Sequence, residues 1–68
     1  MPIKNYQYVV DAMTRNDPNG EYDVESCKQW PFIYLDILQA WYYELKDSHQ
    51  NIPGWLVWSI AFLDKVAE

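Results

Sequence analysis

The sequence predicts a small all-α protein, folded as a three-helix bundle or as an orthogonal array of three helices. Apolar side chains recur at helical spacing in three blocks, and Pro and Gly residues separate these blocks. A chain of 68 residues has room for one domain, 1–68, with one core. We expect helices over about 3–15, 31–48 and 53–66.

The first predicted helix has one apolar and one polar face. Its apolar face consists of Ile3, Tyr6, Val9, Val10 and Met13. Residues 6–10 also have strand propensity, but a lone strand would have no partner elsewhere in the chain, so a helix is favoured. Pro18 and Gly20, second and fourth in the segment 17–20, predict a type I turn after this helix.

The segment 21–29 has a weaker pattern. Ser26 and Gln29 have the spacing of a capping box, and Pro31 would separate a short helical turn from the second predicted helix. We expect that second helix to be central and packed against both others. Its apolar arc consists of Tyr34, Ile37, Leu38, Trp41, Tyr42 and Leu45.

The third predicted helix follows a break at residues 50–54. Asn51 is the expected N-cap, with Pro53 in the first turn. One broad apolar face is formed by Trp55, Leu56, Ile60, Phe62, Leu63, Val66 and Ala67.

Charge and cysteine content exclude several classes of protein. The net charge is -5 and the basic residues are scattered, so we expect no direct binding to nucleic acid or to a membrane. The longest nearly continuous apolar stretch, 55–63, is about half of the ~20 residues that span a bilayer. A single cysteine, Cys27, and an N-terminal segment without the apolar core of a signal peptide predict a cytoplasmic protein.

The sequence offers no convincing catalytic or metal site, and we expect neither an enzyme nor a bound cofactor. A catalytic Cys–His pair would have to consist of Cys27 and His49, and no glycine-rich oxyanion loop accompanies them. One Cys and one His cannot complete a usual zinc site. Alternate oxygen-bearing residues from Asp17 to Asp23 resemble the start of a calcium loop, but Tyr22 and Lys28 replace its required Gly and Glu.

Aromatic content provides the main functional indication. Twelve residues are Trp, Tyr or Phe, more than three short helices can readily cover, so some should remain for a partner or for a second copy. Five large apolar residues lie off the predicted core faces and are the candidate partner-binding residues: Tyr8, Phe32, Tyr43, Val57 and Trp58. The alternative is that each packs over the edge of a small core, because isolated exposed apolar residues are common.

A second candidate surface, the acidic rim, consists of Asp17, Glu21, Asp23 and Glu25. It would steer the chain toward a basic partner, or it is simply a solvated loop.

Together these features predict a small acidic protein-binding module that acts as an inhibitor or adaptor of a partner protein. In size and charge the chain is similar to small acidic helical proteins of phages and plasmids that block host enzymes or defence systems, although no motif identifies such a family. Two alternatives stay open: a homo-oligomeric structural protein, and a polyanion mimic that occupies a basic, nucleic-acid-binding site.

Overall fold

Four α-helices follow one another in the computed structural model, which describes residues 5–18 and 20–67. They are α1 (Tyr6–Asn16), α2 (Val24–Gln29), α3 (Pro31–Asp47) and α4 (Gly54–Val66). No strand occurs within the described residues. The predicted all-α fold is confirmed, with one helix more than the predicted three.

Asn5 is the N-cap of helix α1, and its side-chain oxygen accepts hydrogen bonds from the backbone N–H groups of Gln7 and Tyr8 at 2.9 and 3.4 Å. The apolar periodicity of this helix correctly identifies its buried face. Its buried side chains are Val9, Val10, Ala12 and Met13. The predicted core residue Ile3 lies outside the described residues.

A tight turn follows α1. The backbone N–H of Gly20 donates to the carbonyl oxygen of Asp17 at 2.9 Å, which is the bond that closes a four-residue turn. The type I assignment also depends on Asn19, which lies outside the described residues.

Helix α2 occupies the segment for which the sequence pattern is weakest, and its cap differs from the prediction. Asp23, not Ser26, is the N-cap: its carboxylate accepts the backbone N–H of Ser26 at 2.8 Å and the Ser26 hydroxyl at 2.9 Å. The predicted capping box is therefore wrong. A carboxylate three residues earlier is the better acceptor for an N-terminal N–H group, because it is charged and favoured by the helix dipole.

Helix α3 begins with Pro31 in its first turn, and a residue in the left-handed conformation, His49, follows its last turn. His49 has a φ of 56°, and its backbone N–H donates to the carbonyl of Lys46 at 3.1 Å. The next N–H, of Gln50, donates to the carbonyl of Leu45 at 3.0 Å. This pair of bonds is a Schellman motif, which satisfies the last carbonyls of the helix.

Helix α4 begins after Pro53, which is its N-cap and supplies no side-chain hydrogen bond. The prediction that Asn51 caps this helix is therefore wrong. The buried side chains of α4 are Leu56, Ser59 and Leu63, whereas Val66 and Ala67, predicted for the apolar face, are exposed.

The helices pack in a closed order: α1 on α2, α2 on α3, α3 on α4 and α4 on α1. The prediction that α3 packs against both other long helices is confirmed for α4. The backbones of α3 and α1 do not approach each other closely, and the end of α1 meets α3 at an opening lined by Asn16, Asp17, Ala40, Trp41 and Glu44. One core joins all four helices. Its buried members are Val9, Val10, Met13, Cys27, Tyr34, Leu38, Leu56 and Leu63.

Candidate protein-binding surface

Two of the five predicted partner-binding residues meet at a groove between α3 and α4. Tyr43 is 58% exposed and Val57 is 51% exposed. The α3–α4 groove has a volume of about 150 Å³ and is lined by Gln39, Tyr42, Tyr43, Val57 and Ile60. Neither Tyr43 nor Val57 is among the buried core residues, and more than half of each side chain faces solvent. The Tyr43 ring also meets the ring of Tyr42 edge to face at 5.5 Å.

Phe32, the third predicted residue, extends the same outer face of α3 but does not line the groove. It precedes Tyr43 by eleven residues, a spacing that returns to the same side of a helix. Its side chain is 56% exposed, so the segment 21–29 does not fold back over it. The nearest aromatic neighbour is Trp30, whose ring meets that of Phe32 edge to face at 5.9 Å.

Tyr8 and Trp58 lie elsewhere and partly cover each other. Their rings meet edge to face at 5.1 Å, and Trp58 also stacks on Phe62 with the ring centres 5.0 Å apart. Tyr6 closes the group with a further edge contact to Phe62 at 5.1 Å. These contacts join α1 to α4, and Trp58 packs directly against the core. Both side chains are therefore half-buried, and Trp58 has core contacts that the pattern of α4 did not predict, while the role of the two residues in partner binding stays a prediction.

Besides Val66, two exposed apolar residues were missed by the sequence prediction. Trp30 and Ile33 lie at the junction of α2 and α3, and both are large and exposed. Trp30 fell outside the predicted helices and so had no predicted face. Ile33 shares a side of α3 with Ala40 and Glu44, seven and eleven residues later, and this spacing could have identified it as off the core arc.

The acidic rim is only partly available to a partner. Asp23 is bonded to Ser26 as the N-cap of α2, and those hydrogen bonds lower the pKa of its carboxyl. Asp17 accepts a hydrogen bond from the Tyr22 hydroxyl at 3.2 Å. Burial, together with this bond to Asp17, raises the pKa of the Tyr22 phenol. Glu21 and Glu25 are exposed.

An open cleft of about 850 Å³ lies between α1 and the segment before α2. Its lining mixes the charges of Asp11, Arg15 and Asp23 with the rings of Tyr8 and Tyr22. The cleft is therefore wide, open to solvent and lined by charges of both signs.

Chemically reactive groups do not converge on either opening. Cys27 is fully buried and burial raises the pKa of its thiol to about 11, while His49 is exposed in the turn after α3. Over residues 5–18 and 20–67, no three His, Cys, Asp or Glu side chains are grouped so that they could hold a metal ion. Within the same residues, no helix combines the length and the apolar character needed to cross a membrane.

Comparisons with protein-family models, with curated proteins and with solved structures give no match for this chain. A role for the α3–α4 groove therefore has to be inferred from the geometry and chemistry of the groove itself.

Proposed function

We propose that this chain is a protein-binding module, an inhibitor or adaptor rather than an enzyme, and that it contacts its partner through the α3–α4 groove. The observation that supports this proposal is the position of Tyr43 and Val57. Both are large, more than half exposed, and adjacent on neighbouring helices, and neither contributes to the core.

Residue type and arrangement favour a protein as the ligand of this surface. Tyr is among the residues most enriched at interface hot spots, because its ring supplies a large contact area and its hydroxyl can still form a hydrogen bond. The groove combines two Tyr side chains with two aliphatic side chains and one amide. A volume of about 150 Å³ is below the roughly 300–1,000 Å³ typical of sites for small-molecule ligands or cofactors.

Charge supports a partner that is basic near the binding surface. The net charge of -5 would speed association with such a partner and would oppose binding to nucleic acid. We place this interaction in the cytoplasm, in line with the single, unpaired and buried Cys27.

The test is affinity capture from cells with two matched variants. Val57→Ala removes an exposed side chain at the groove, and Val66→Ala removes the same atoms from an exposed position nine residues later, on the opposite side of α4. We expect Val57→Ala and Tyr43→Ala to reduce the amount of one specific protein captured, and Val66→Ala to retain it. Equal capture by all three variants would reject the groove as the binding surface.

A homo-oligomer is the second candidate, because the same exposed side chains could be covered by another copy of the chain. Light scattering after gel filtration distinguishes the two. A monomer at micromolar concentration supports binding to a different protein, whereas a tight dimer that Val57→Glu dissociates would establish self-association through the groove.

A polyanion mimic is the third candidate and has less support, since two of the four acidic-rim carboxylates are bonded within the fold. Under that hypothesis the exposed carboxylates of Glu21 and Glu25 would contribute most of the binding. Replacing both with Gln should then abolish partner binding and its salt dependence, and unchanged binding would reject the hypothesis.

A further inference from the structure

The α3–α4 groove has the size of a pocket for one side chain. A cavity of about 150 Å³ is large enough to hold a single benzene ring, and the volume of the groove is about the same. Tyr43 on α3 and Val57 on α4 form its exposed lips, and the partly buried Tyr42 and Ile60 lie deeper. One Leu or Phe side chain of a partner would therefore fill it.

Acidic side chains flank one end of this groove. Asp36 lies seven residues before Tyr43, and Asp64 lies seven residues after Val57. Seven residues are about two helical turns, so each Asp shares the outer face of its groove residue. Both carboxylates are exposed.

The two carboxylates lie at the same end because α3 and α4 run antiparallel. Only residues 48–53 connect the two helices, and the Trp41 and Trp55 rings meet at 5.5 Å on either side of this connection. Asp36 on α3 and Asp64 on α4 both lie far from this connection, and therefore at the same end of the helix pair. The other end of the groove has mixed charge, since Lys46 and Asp47 lie one turn after Tyr43.

We infer that the groove accepts one apolar side chain of a partner segment that has a Lys or Arg beside it, with the cation at the Asp36–Asp64 end. This inference rests on the proposed function and specifies the chemistry of the partner. Charge favours such a segment over a second copy of this chain, because each copy has a net charge of -5 and an acidic groove end of its own.

The experiment uses two probes that differ in the sign of one charge: 2-phenylethylamine, a phenyl ring with an ammonium group, and 3-phenylpropanoate, a phenyl ring with a carboxylate. Each is titrated into the full chain at fixed ionic strength and followed by the amide shifts of an NMR spectrum. We expect shifts at Tyr43, Val57 and Ile60, and about threefold tighter binding of the ammonium probe, the size of effect typical of exposed ion pairs.

Charge variants test the direction of this preference. The double variant Asp36→Asn/Asp64→Asn should bind both probes equally while still showing shifts at the groove. Its matched control, Glu21→Gln/Glu25→Gln, removes the same charge from exposed positions on the acidic rim and should keep the full preference. Thermal melting of each variant verifies that it remains folded.

Several results would overturn the inference. These are the absence of groove shifts at probe concentrations up to about 20 mM, equal affinity of the two probes for the unmodified chain, and shifts at Trp30 or in the α1 cleft in place of the groove. Groove shifts that depend on protein concentration without any probe would instead assign the groove to a second copy. If the probes fail but Val57→Ala still loses the captured partner, only this inference is rejected and the proposed function stands.

Discussion

The phenol oxygen of Tyr34, on α3, bonds to both backbone groups of Asp23: it accepts the N–H at 3.2 Å and donates to the carbonyl oxygen at 3.3 Å. Tyr34 is buried, and Asp23 is the N-cap of α2. One side chain of a long helix thus fixes the start of a six-residue helix that could not form by itself in water. It also ties Asp23, one of the four acidic-rim residues, to α3.

Removing this hydroxyl should destabilise the fold. We expect Tyr34→Phe to lower the free energy of unfolding by about 1–3 kcal/mol, because two hydrogen bonds are lost and an Asp23 backbone group is left without its partner. Urea denaturation measures the change. Tyr43→Phe, which removes the same atom at an exposed position, is the control and should have no effect; equal losses in both variants would contradict the role of the Tyr34–Asp23 bonds.

Trp58 and Tyr43 should behave oppositely when truncated. Trp58 stacks on Phe62 and packs on the core, so Trp58→Ala should cost about 3 kcal/mol of unfolding free energy. Tyr43 lies outside the core and keeps an edge contact with Tyr42, so Tyr43→Ala should lower the unfolding free energy by no more than about 1 kcal/mol. Thermal or urea unfolding distinguishes them, and a Tyr43→Ala loss as large as that of Trp58→Ala would place Tyr43 in the core.

Stability should fall at alkaline pH because of Cys27. Burial raises the pKa of its thiol from 9.0 to about 11 in the folded chain, so between these values the folded state retains a proton that the unfolded state releases. The contribution of the protonated Cys27 thiol to the unfolding free energy is fully present below pH 9. It is lost as the pH rises toward 11, which lowers the unfolding free energy by about 2 kcal/mol. Tyr22, whose phenol pKa is also raised, acts in the same direction.

Unfolding free energies measured from pH 8 to pH 11 provide the test. The decrease of unfolding free energy with pH should be smaller in Cys27→Ala than in the unmodified chain. The part of the decrease that comes from Tyr22 should remain in this variant. Identical slopes in the two proteins would mean that the Cys27 thiol ionises in the folded state as readily as in the unfolded state.

The left-handed turn after α3 offers a stabilising substitution. His49 has a φ of 56° at the position where helices commonly end in Gly. His49→Gly should raise the unfolding free energy by about 0.5–1 kcal/mol, because relief of the left-handed strain outweighs the greater flexibility of Gly in the unfolded chain. Ser48→Gly, one residue earlier at a φ of -86°, should instead destabilise. A lower melting temperature for His49→Gly would contradict the strain at this position.

Much of the fold could be predicted from the sequence because three helices are long enough to show an apolar face. Val9, Met13, Leu38, Leu56 and Leu63 all recur at helical spacing, and all are buried. Helix α2 was predicted only as a short helical turn without bounds, because six residues are too few to show a periodic apolar face. Its position depends on a tertiary bond from Tyr34 that no local pattern reveals.

The candidate surface was predicted only in part, for a related reason. The apolar pattern of a single helix correctly indicates that Tyr43 and Val57 do not lie on the face that packs into the core. It does not show which of its side chains a neighbouring helix covers. Tyr8 on α1 and Trp58 on α4 cover each other, a contact that depends on how the two helices pack. The meeting of Tyr43 with Val57 at one groove likewise required the packing of α3 on α4.

The central claim is that the apolar side chains at the α3–α4 groove bind a partner and are not needed for folding. Its most direct test is the dissociation constant of the captured partner, measured by titration with the double variant Tyr43→Ala/Val57→Ala and with Val66→Ala. We expect the double variant to stay folded, with only the small stability loss expected of Tyr43→Ala, and to bind at least about tenfold more weakly, while Val66→Ala binds like the unmodified chain. An unchanged dissociation constant for the double variant, or a loss of binding that accompanies unfolding, would contradict the claim.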